Sequence, residues 1–262
     1  MSIDDLVSRK GPRVLCIDLE RIPGRVTLDI FDAKQRSDYI HASTWQEYPE
    51  TLCFAWRWLG ERTTHFAATW TTDDLAALSW RLYDEATHVL TFNGHKADNK
   101  WCRDDWLLAG LPKPAPWRDI DLYVVLRNQF ALEARSLDFA CQRLGLPGKR
   151  GHYNVAQARA AAEGDPAAQR AIERYNRGDV KATLDLWERV RGLVHVPGLN
   201  LGLQYLDAED VNRCPTCGKA GTLKADGWYT AAVQIYGLLR CSSCGGLARN
   251  NHVKSKSRVR GV

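Results

Sequence analysis

Residues 13–20 read Arg-Val-Leu-Cys-Ile-Asp-Leu-Glu, a short apolar run that ends in two acids separated by one leucine. Turn-forming residues bound the run at 11–12 (Gly-Pro) and 23–24 (Pro-Gly), as is typical of a buried β-strand. Side chains alternate along a strand, so Asp18 and Glu20 project to the same face. Two neighbouring carboxylates repel each other unless a cation such as Mg²⁺ or Mn²⁺ neutralises them. The pair indicates a cation site, although solvated acids at a strand end give the same pattern.

A third and a fourth acid lie on later predicted elements. Residues 91–98 read Thr-Phe-Asn-Gly-His-Lys-Ala-Asp, which takes a strand through a turn into a helix that begins near Asp98. Ligands of α/β proteins collect at the carboxyl ends of strands. Tyr175 and Asp179 are four residues apart in a predicted helix, and therefore share one helical face. The alternatives are that Asp98 complements the helix dipole and that the tyrosine and aspartate form an ordinary helix pair.

The remaining pattern predicts an early antiparallel sheet of three or four strands, followed by helices that alternate with strands. This order is typical of an α/β layer architecture with a mixed sheet. After the first strand, the predicted strands are residues 25–31, 51–59, 64–69 and 88–92. The predicted helices are residues 73–85, 97–109, 137–144, 156–163 and 166–193, with a short strand running into a helix at 119–130.

The order of the acidic motifs resembles that of the DEDD exonucleases of the RNase H-like superfamily, which include the proofreading domains of DNA polymerases. These motifs are Asp-x-Glu on a first strand, Asn-x4-Asp after a middle strand and Tyr-x3-Asp on a late helix. The resemblance spans residues 13–190. Residues 136–149, Ser-Leu-Asp-Phe-Ala-Cys-Gln-Arg-Leu-Gly-Leu-Pro-Gly-Lys, are similar to the segment before the last motif of family B polymerase exonucleases.

The resemblance implies an RNase H-like mixed sheet flanked by helices and a metal-dependent 3′–5′ exonuclease. The family's four acids hold two Mg²⁺ or Mn²⁺ ions, and they match Asp18, Glu20, Asp98 and Asp179. Tyr175 stands where the tyrosine branch of the family has its tyrosine, which orients the attacking water. Ala97 stands where the family usually has Phe or Tyr before the second-motif acid, so other acids are kept as alternative ligands: Asp104, Asp105 and Asp121.

Eight cysteines occur in the chain, and four of them form two Cys-x2-Cys pairs, each followed by glycine. The pairs are separated by 23 residues, and such spacing is typical of a structural zinc site with four thiolate ligands. The segment is similar to a zinc ribbon, whose strands would include residues 227–236. Two disulfides, a redox pair or an iron–sulfur cluster are the alternatives. The predicted zinc ligands are Cys214, Cys217, Cys241 and Cys244, and the predicted core cysteines are Cys16, Cys53, Cys102 and Cys141.

Charge is unevenly distributed along the chain. The whole chain has 36 basic and 31 acidic residues, a net charge of +5. Residues 213–262 hold nine basic residues and one acid, or +8, which leaves −3 for residues 1–212. A basic end on an acidic body favours binding to nucleic acid, and aromatic side chains there can stack on bases. The predicted nucleic-acid contacts are Asn93, Lys219, Trp228, Tyr229, Arg240, Arg249, Lys254, Lys256, Arg258 and Arg260.

Four segments are predicted: an RNase H-like exonuclease domain at 1–195, a connector at 196–212, a zinc ribbon at 213–248 and a basic tail at 249–262. The predicted substrate is nucleic acid, with DNA and a single strand or 3′ end favoured. A replication or repair protein is a further possible partner. The alternatives are a non-catalytic nucleic-acid-binding or scaffolding protein and a structure-specific endonuclease.

Composition argues against several other classes of protein. Hydrophobic residues make up 45% and charged residues 26%, which argues against disordered, collagen-like and coiled-coil proteins. No stretch approaches the 18 or so apolar residues of a membrane span. The first residues, Met-Ser-Ile-Asp-Asp-Leu, lack the pattern of a secretory signal. We therefore expect the protein in the cytosol of a bacterium or of a phage-infected host.

Overall fold

The structure is a computed structural model, and it describes residues 11–29, 40–148, 151–205 and 212–256. The strands are β1 (Val14–Ile22), β2 (Arg25–Val26), β3 (Trp45–Glu47), β4 (Glu50–Trp58), β5 (His65–Ala68), β6 (His88–Thr91), β7 (Arg118–Asp121), β8 (Leu223–Thr230), β9 (Gln234–Cys241) and β10 (Leu247–Lys256). The helices are α1 (Leu75–Glu85), α2 (Asp98–Leu108), α3 (Leu122–Gln129), α4 (Leu137–Arg143), α5 (Val155–Ala162) and α6 (Pro166–Val190). Short 3₁₀ turns lie at Ala42–Thr44 and Leu201–Gln204.

Strand β1 is the centre of a five-stranded sheet in the order β5-β4-β1-β6-β7. It pairs antiparallel with β4 and parallel with β6. Strands in the middle of a sheet that is covered on both faces are apolar throughout, and Val14–Ile17 are accordingly buried. The predicted mixed sheet flanked by helices is confirmed.

Alternation along β1 divides its side chains between two cores. Leu15, Ile17 and Leu19 pack with residues of α1 and α2 on one face of the sheet. Val14 and Cys16 pack with residues of α3, α4 and α6 on the other face. Because the side-chain period is two, Asp18 and Glu20 project to the α6 side.

The predicted strand at residues 25–31 is wrong in extent and in its partner. Among the described residues 25–29, only Arg25–Val26 are in a strand, and they pair with Trp45–Glu47 in a separate two-stranded sheet. Both edges of β1 are already occupied by β4 and β6, so the chain has no free edge of β1 to return to after the turn at 23–24. Residues 30 and 31 of the predicted strand lie outside the described residues.

The C-terminal module is a three-stranded antiparallel sheet in the order β10-β9-β8. Residues 227–236 span a hairpin in which residues 231–233 separate β8 from β9. Strand β10 continues to Lys256 and so passes the predicted ribbon boundary at residue 248. Part of the segment predicted to be a basic tail is therefore paired with β9 in the sheet. Arg258 and Arg260 lie outside the described residues.

The described part of the predicted connector, residues 196–205 and 212, has one 3₁₀ turn and packs against both modules. Val196 and Leu201 are buried in the core cluster that includes α6. The N–H of Leu201 donates to the carbonyl oxygen of Pro215 at 2.7 Å. Just after α6, a Cβ on Gly192 would lie 1.8 Å from the carbonyl oxygen of Cys244. The cysteine module therefore sits directly against the chain that leaves the end of α6.

The described helices do not meet the requirements for crossing a membrane. None of these described helices combines the length and apolar character that a bilayer crossing requires.

Candidate metal centre and cysteine cluster

Three of the four predicted acidic ligands meet where α6 crosses β1. Asp18, Glu20 and Asp179 each place a carboxylate oxygen within 4.8 Å of the other two. Asp179 is 1% exposed, whereas the two acids of β1 are half-buried. Carboxylates this close repel one another in a poorly hydrated site, and a divalent cation with a preference for oxygen ligands would offset the repulsion. The donor set therefore fits Mg²⁺ or Mn²⁺.

Asn176 ties α6 to β1 at this point, and sequence reasoning missed it. Its Nδ2 donates to Oδ2 of Asp18 at 2.7 Å and to the backbone oxygen of Asp18 at 3.0 Å. The side chain is fully buried, with 0% exposure. One signal was present in the sequence, because residue 176 lies three positions before Asp179 and so on the same helical face.

Asp98 begins α2 and lies outside the group of three. It is 4% exposed, and its Oδ1 accepts from the backbone N–H of Leu19 at 2.8 Å. The pairing of β1 with β6 ends at Cys16, so Asp98 satisfies a donor of β1 beyond the parallel ladder. Burial raises the pKa of Asp98 to about 6, even though backbone hydrogen bonds lower it, and the nearby charges of Asp121 and Asp179 add to the rise.

The loop before Asp98 is held by Asp121, the last residue of β7, which pairs with Thr91 of β6. Its carboxylate accepts from the backbone N–H groups of Asn93 at 2.9 Å and His95 at 3.1 Å. Asn93 has a φ of 67°, and a Cβ on Gly94 would lie 2.4 Å from Oγ1 of Thr91. Glycine is therefore required at this turn, and the turn sets where α2 begins.

The alternative acidic ligands lie outside the group of three. Asp121 also caps α3 by accepting from the N–H of Tyr123 at 3.0 Å. Asp105 accepts from Oγ1 of Thr51 at 2.6 Å. Asp104 is exposed on α2. Their positions give no reason to prefer them to Asp98.

Two tyrosines lie beside the carboxylates. Tyr175 is buried on α6, one turn before Asp179. Its ring centroid is 6.5 Å from that of Tyr153, a residue that sequence reasoning missed. The hydroxyl of Tyr153 donates to the backbone oxygen of Arg21. Burial raises the pKa of Tyr153 to about 12, and the charge of Glu20 adds to the effect, so this phenol stays protonated next to the acids.

The four predicted zinc ligands come together in the C-terminal module. Sγ of Cys214 is 3.7 Å from that of Cys244, and Sγ of Cys217 is 3.8 Å from that of Cys241. All four cysteines are free, and these distances far exceed the roughly 2.0 Å of a disulfide. Four sulfurs at about 2.3 Å from a tetrahedral zinc would be about 3.8 Å apart. The cluster therefore fits a zinc ribbon.

The basic module also exposes aromatic rings. Trp228 and Tyr229 of β8 are 60% and 46% exposed. The guanidinium of Arg249 lies 4.0 Å from the ring centroid of Tyr236 and 5.9 Å from that of Tyr229. Arg240, another predicted contact, pairs with Asp226 at 2.9 Å. Cations and aromatic rings therefore share this surface.

Neither a family model nor a curated protein matches the chain. Among solved structures, it is similar to a family B DNA polymerase from the hyperthermophilic archaeon Pyrobaculum calidifontis, with 16% identity and a TM-score of 0.51. The similarity covers 75% of this chain and 26% of the polymerase chain. This chain thus matches about a quarter of the polymerase, and at this identity the likeness shows a shared fold.

The raised pKa of Asp98 predicts a pH-dependent effect on stability. Unfolded, this carboxyl ionises near 3.8, whereas in the folded protein it ionises near 6. Between these pKa values the folded state binds the proton more tightly, so the contribution of Asp98 to stability decreases as the pH rises from about 4 to about 6. We expect Asp98→Asn, in EDTA, to increase the free energy of unfolding at pH 8 by on the order of 2–3 kcal/mol. Below about pH 4 the increase should vanish.

Denaturant unfolding of both proteins at pH 4, 6 and 8 measures this difference. An effect of Asp98→Asn that is the same at pH 4 and pH 8 would show that burial does not perturb this carboxyl.

Proposed function

We propose that the protein is a metal-dependent 3′–5′ exonuclease that hydrolyses phosphodiester bonds of nucleic acid, with DNA favoured. The observation that carries the proposal is the meeting of Asp18, Glu20 and Asp179 within 4.8 Å on an RNase H-like sheet. Three further features support it: buried Asp98 beside β1, Tyr175 one turn before Asp179 and the polymerase that shares the fold.

In this proposal Asp18, Glu20 and Asp179 hold the catalytic cations, and Asp98 completes the set of four acids. Two bound divalent cations supply charge stabilisation to the attacking and the leaving oxygens of an in-line displacement. Tyr175 orients the attacking water through its hydroxyl and need not ionise. The buried carboxylates keep their positions before substrate arrives, so little reorganisation is needed during the reaction.

Substitution of the clustered carboxylates tests the proposal. We expect Asp18→Asn and Asp179→Asn each to reduce hydrolysis by about three orders of magnitude, or roughly 4 kcal/mol of transition-state stabilisation, because each removes a charged ligand. Asp105→Asn is the matched control, since this aspartate is also partly buried but lies outside the group; its rate should stay within a few-fold of wild type.

The assay uses 5′-labelled single- and double-stranded DNA and RNA with Mg²⁺ or Mn²⁺. A ladder of products that shorten from the 3′ end is expected. Internal cuts would indicate an endonuclease, and binding without cleavage would indicate a non-catalytic nucleic-acid-binding protein. A ladder from RNA alone would change the substrate class.

For the C-terminal module we propose one structural zinc, held by Cys214, Cys217, Cys241 and Cys244. A module of about 50 residues has little core of its own, so metal binding should contribute much of its folding free energy. Elemental analysis of the purified protein should find about one zinc per chain. The Cys244→Ser variant should lose most of this zinc. Cys141→Ser, which replaces a buried core cysteine, is the control and should keep it. Two disulfides by mass spectrometry would contradict the assignment.

We further propose that the basic module holds a single strand or a 3′ end near the acids. Asn93, on the loop before α2, is proposed as a contact beside the acids. Lys219, Trp228, Tyr229, Arg240 and Arg249 are proposed contacts on the module. Lys254 and Lys256 lie on β10, and with Arg258 and Arg260 they stay predicted contacts. A replication or repair protein is the alternative partner for the same surface.

Salt dependence tests this binding surface. Replacing the proposed contacts Lys219, Arg240 and Arg249 by glutamine should reduce the magnitude of the log–log salt slope for single strands by about 2, at roughly 0.7 per phosphate contact. The control replaces Arg81, Arg103 and Lys113 by glutamine. These residues belong to α1, α2 and the segment after α2, on the opposite face of the sheet from the carboxylates. An equal slope in both triple variants would argue for a protein partner instead.

A further inference from the structure

We infer that Asn176 is a positioning residue that orients the Asp18 carboxylate for the cation. The inference rests on the proposed function in one respect, namely that the group of three carboxylates holds a metal. It adds a residue that belongs to neither the acidic motifs nor the tyrosine position.

The hydrogen bonds of Asn176 fix one of the two carboxylate oxygens of Asp18. Nδ2 donates to Oδ2 of Asp18 at 2.7 Å and to its backbone oxygen at 3.0 Å. Both neighbours are acceptors, so the opposite orientation of the amide would direct Oδ1 at two oxygens and is excluded. One carboxylate oxygen of Asp18 is therefore bound to the amide, and the carboxylate plane is set by a side chain from another element.

Packing makes this contact rigid. Asn176 is 0% exposed, and the residues one turn before and after it on α6, Ile172 and Val180, are also fully buried. A second bond links the elements nearby, because Sγ of Cys16 contacts the backbone oxygen of Val180 at 3.7 Å. The amide cannot swing away without moving α6 relative to β1.

Fold stability alone does not account for an asparagine at this position. Oδ1 of Asn176 is buried without a hydrogen-bond partner, and such an atom destabilises a fold by about 1–3 kcal/mol. An apolar residue of similar shape would avoid this cost. Leucine has a similar shape but no hydrogen-bond donor. The asparagine amide is a neutral donor, and it can bind a carboxylate without neutralising the charge. Partners of this kind orient metal ligands in other proteins.

Metal binding without substrate tests the inference. Mn²⁺ is titrated into the full-length protein, and free Mn²⁺ is measured by electron paramagnetic resonance. We expect Asn176→Leu to weaken Mn²⁺ affinity by about 10- to 100-fold. We also expect high Mn²⁺ to restore much of its hydrolysis rate, because the missing contact acts on ligand orientation.

Asn99→Leu is the matched control. Asn99 is also buried and makes two side-chain hydrogen bonds, to Asp119 and from Tyr83, but contacts none of the three clustered carboxylates. Its loss should lower thermal stability and leave Mn²⁺ affinity within about twofold of wild type. If Asn176→Leu does not fold by circular dichroism, the smaller Asn176→Ala gives the same test.

The outcomes separate this inference from the proposed function. Wild-type Mn²⁺ affinity in a folded Asn176 variant overturns the inference and leaves the exonuclease proposal standing. In another outcome, the wild-type protein hydrolyses no nucleic acid but the variant binds Mn²⁺ more weakly than the wild type does. This result overturns the exonuclease proposal and supports the inference. A wild-type protein that binds no Mn²⁺ overturns both.

Discussion

The crossing of α6 over β1 is the contact on which the carboxylate site depends. Asp18 and Glu20 come from the strand and Asp179 from the helix, and they stay within 4.8 Å of one another despite their mutual repulsion. Apolar residues of α6 on both sides, Ile172, Val180 and Leu184, are buried in the cores beneath it. At about 1.5–3 kcal/mol for each fully buried aliphatic side chain, this packing can hold charges together that would otherwise separate.

Burial favours the neutral forms of two groups at the site. Burial keeps Asp98 protonated to higher pH than an ordinary carboxyl, and it keeps Tyr153 from ionising beside Glu20. Perturbed titration in a cluster of acids is characteristic of functional sites. A bound cation would relieve the repulsion among the acids.

The same helix connects the acids to the cysteine module. Asp179 and Gly192 are 13 positions apart in the chain, which is roughly 20 Å at the rise of an α-helix. The module contacts the chain at Gly192 through the carbonyl of Cys244. The point at which the module meets the chain is therefore well separated from Asp179.

The sequence by itself determined the features that follow from local periodicity. Alternation on β1 placed Asp18 and Glu20 together, and the cysteine spacing indicated the four-thiolate cluster. Only the tertiary structure decided that β2 leaves the main sheet, that β10 extends into the basic segment, and that Asn176 contacts Asp18 across 158 residues of chain. Strand and helix periods are set by neighbouring residues, whereas free sheet edges and contacts between distant elements depend on how the whole chain packs.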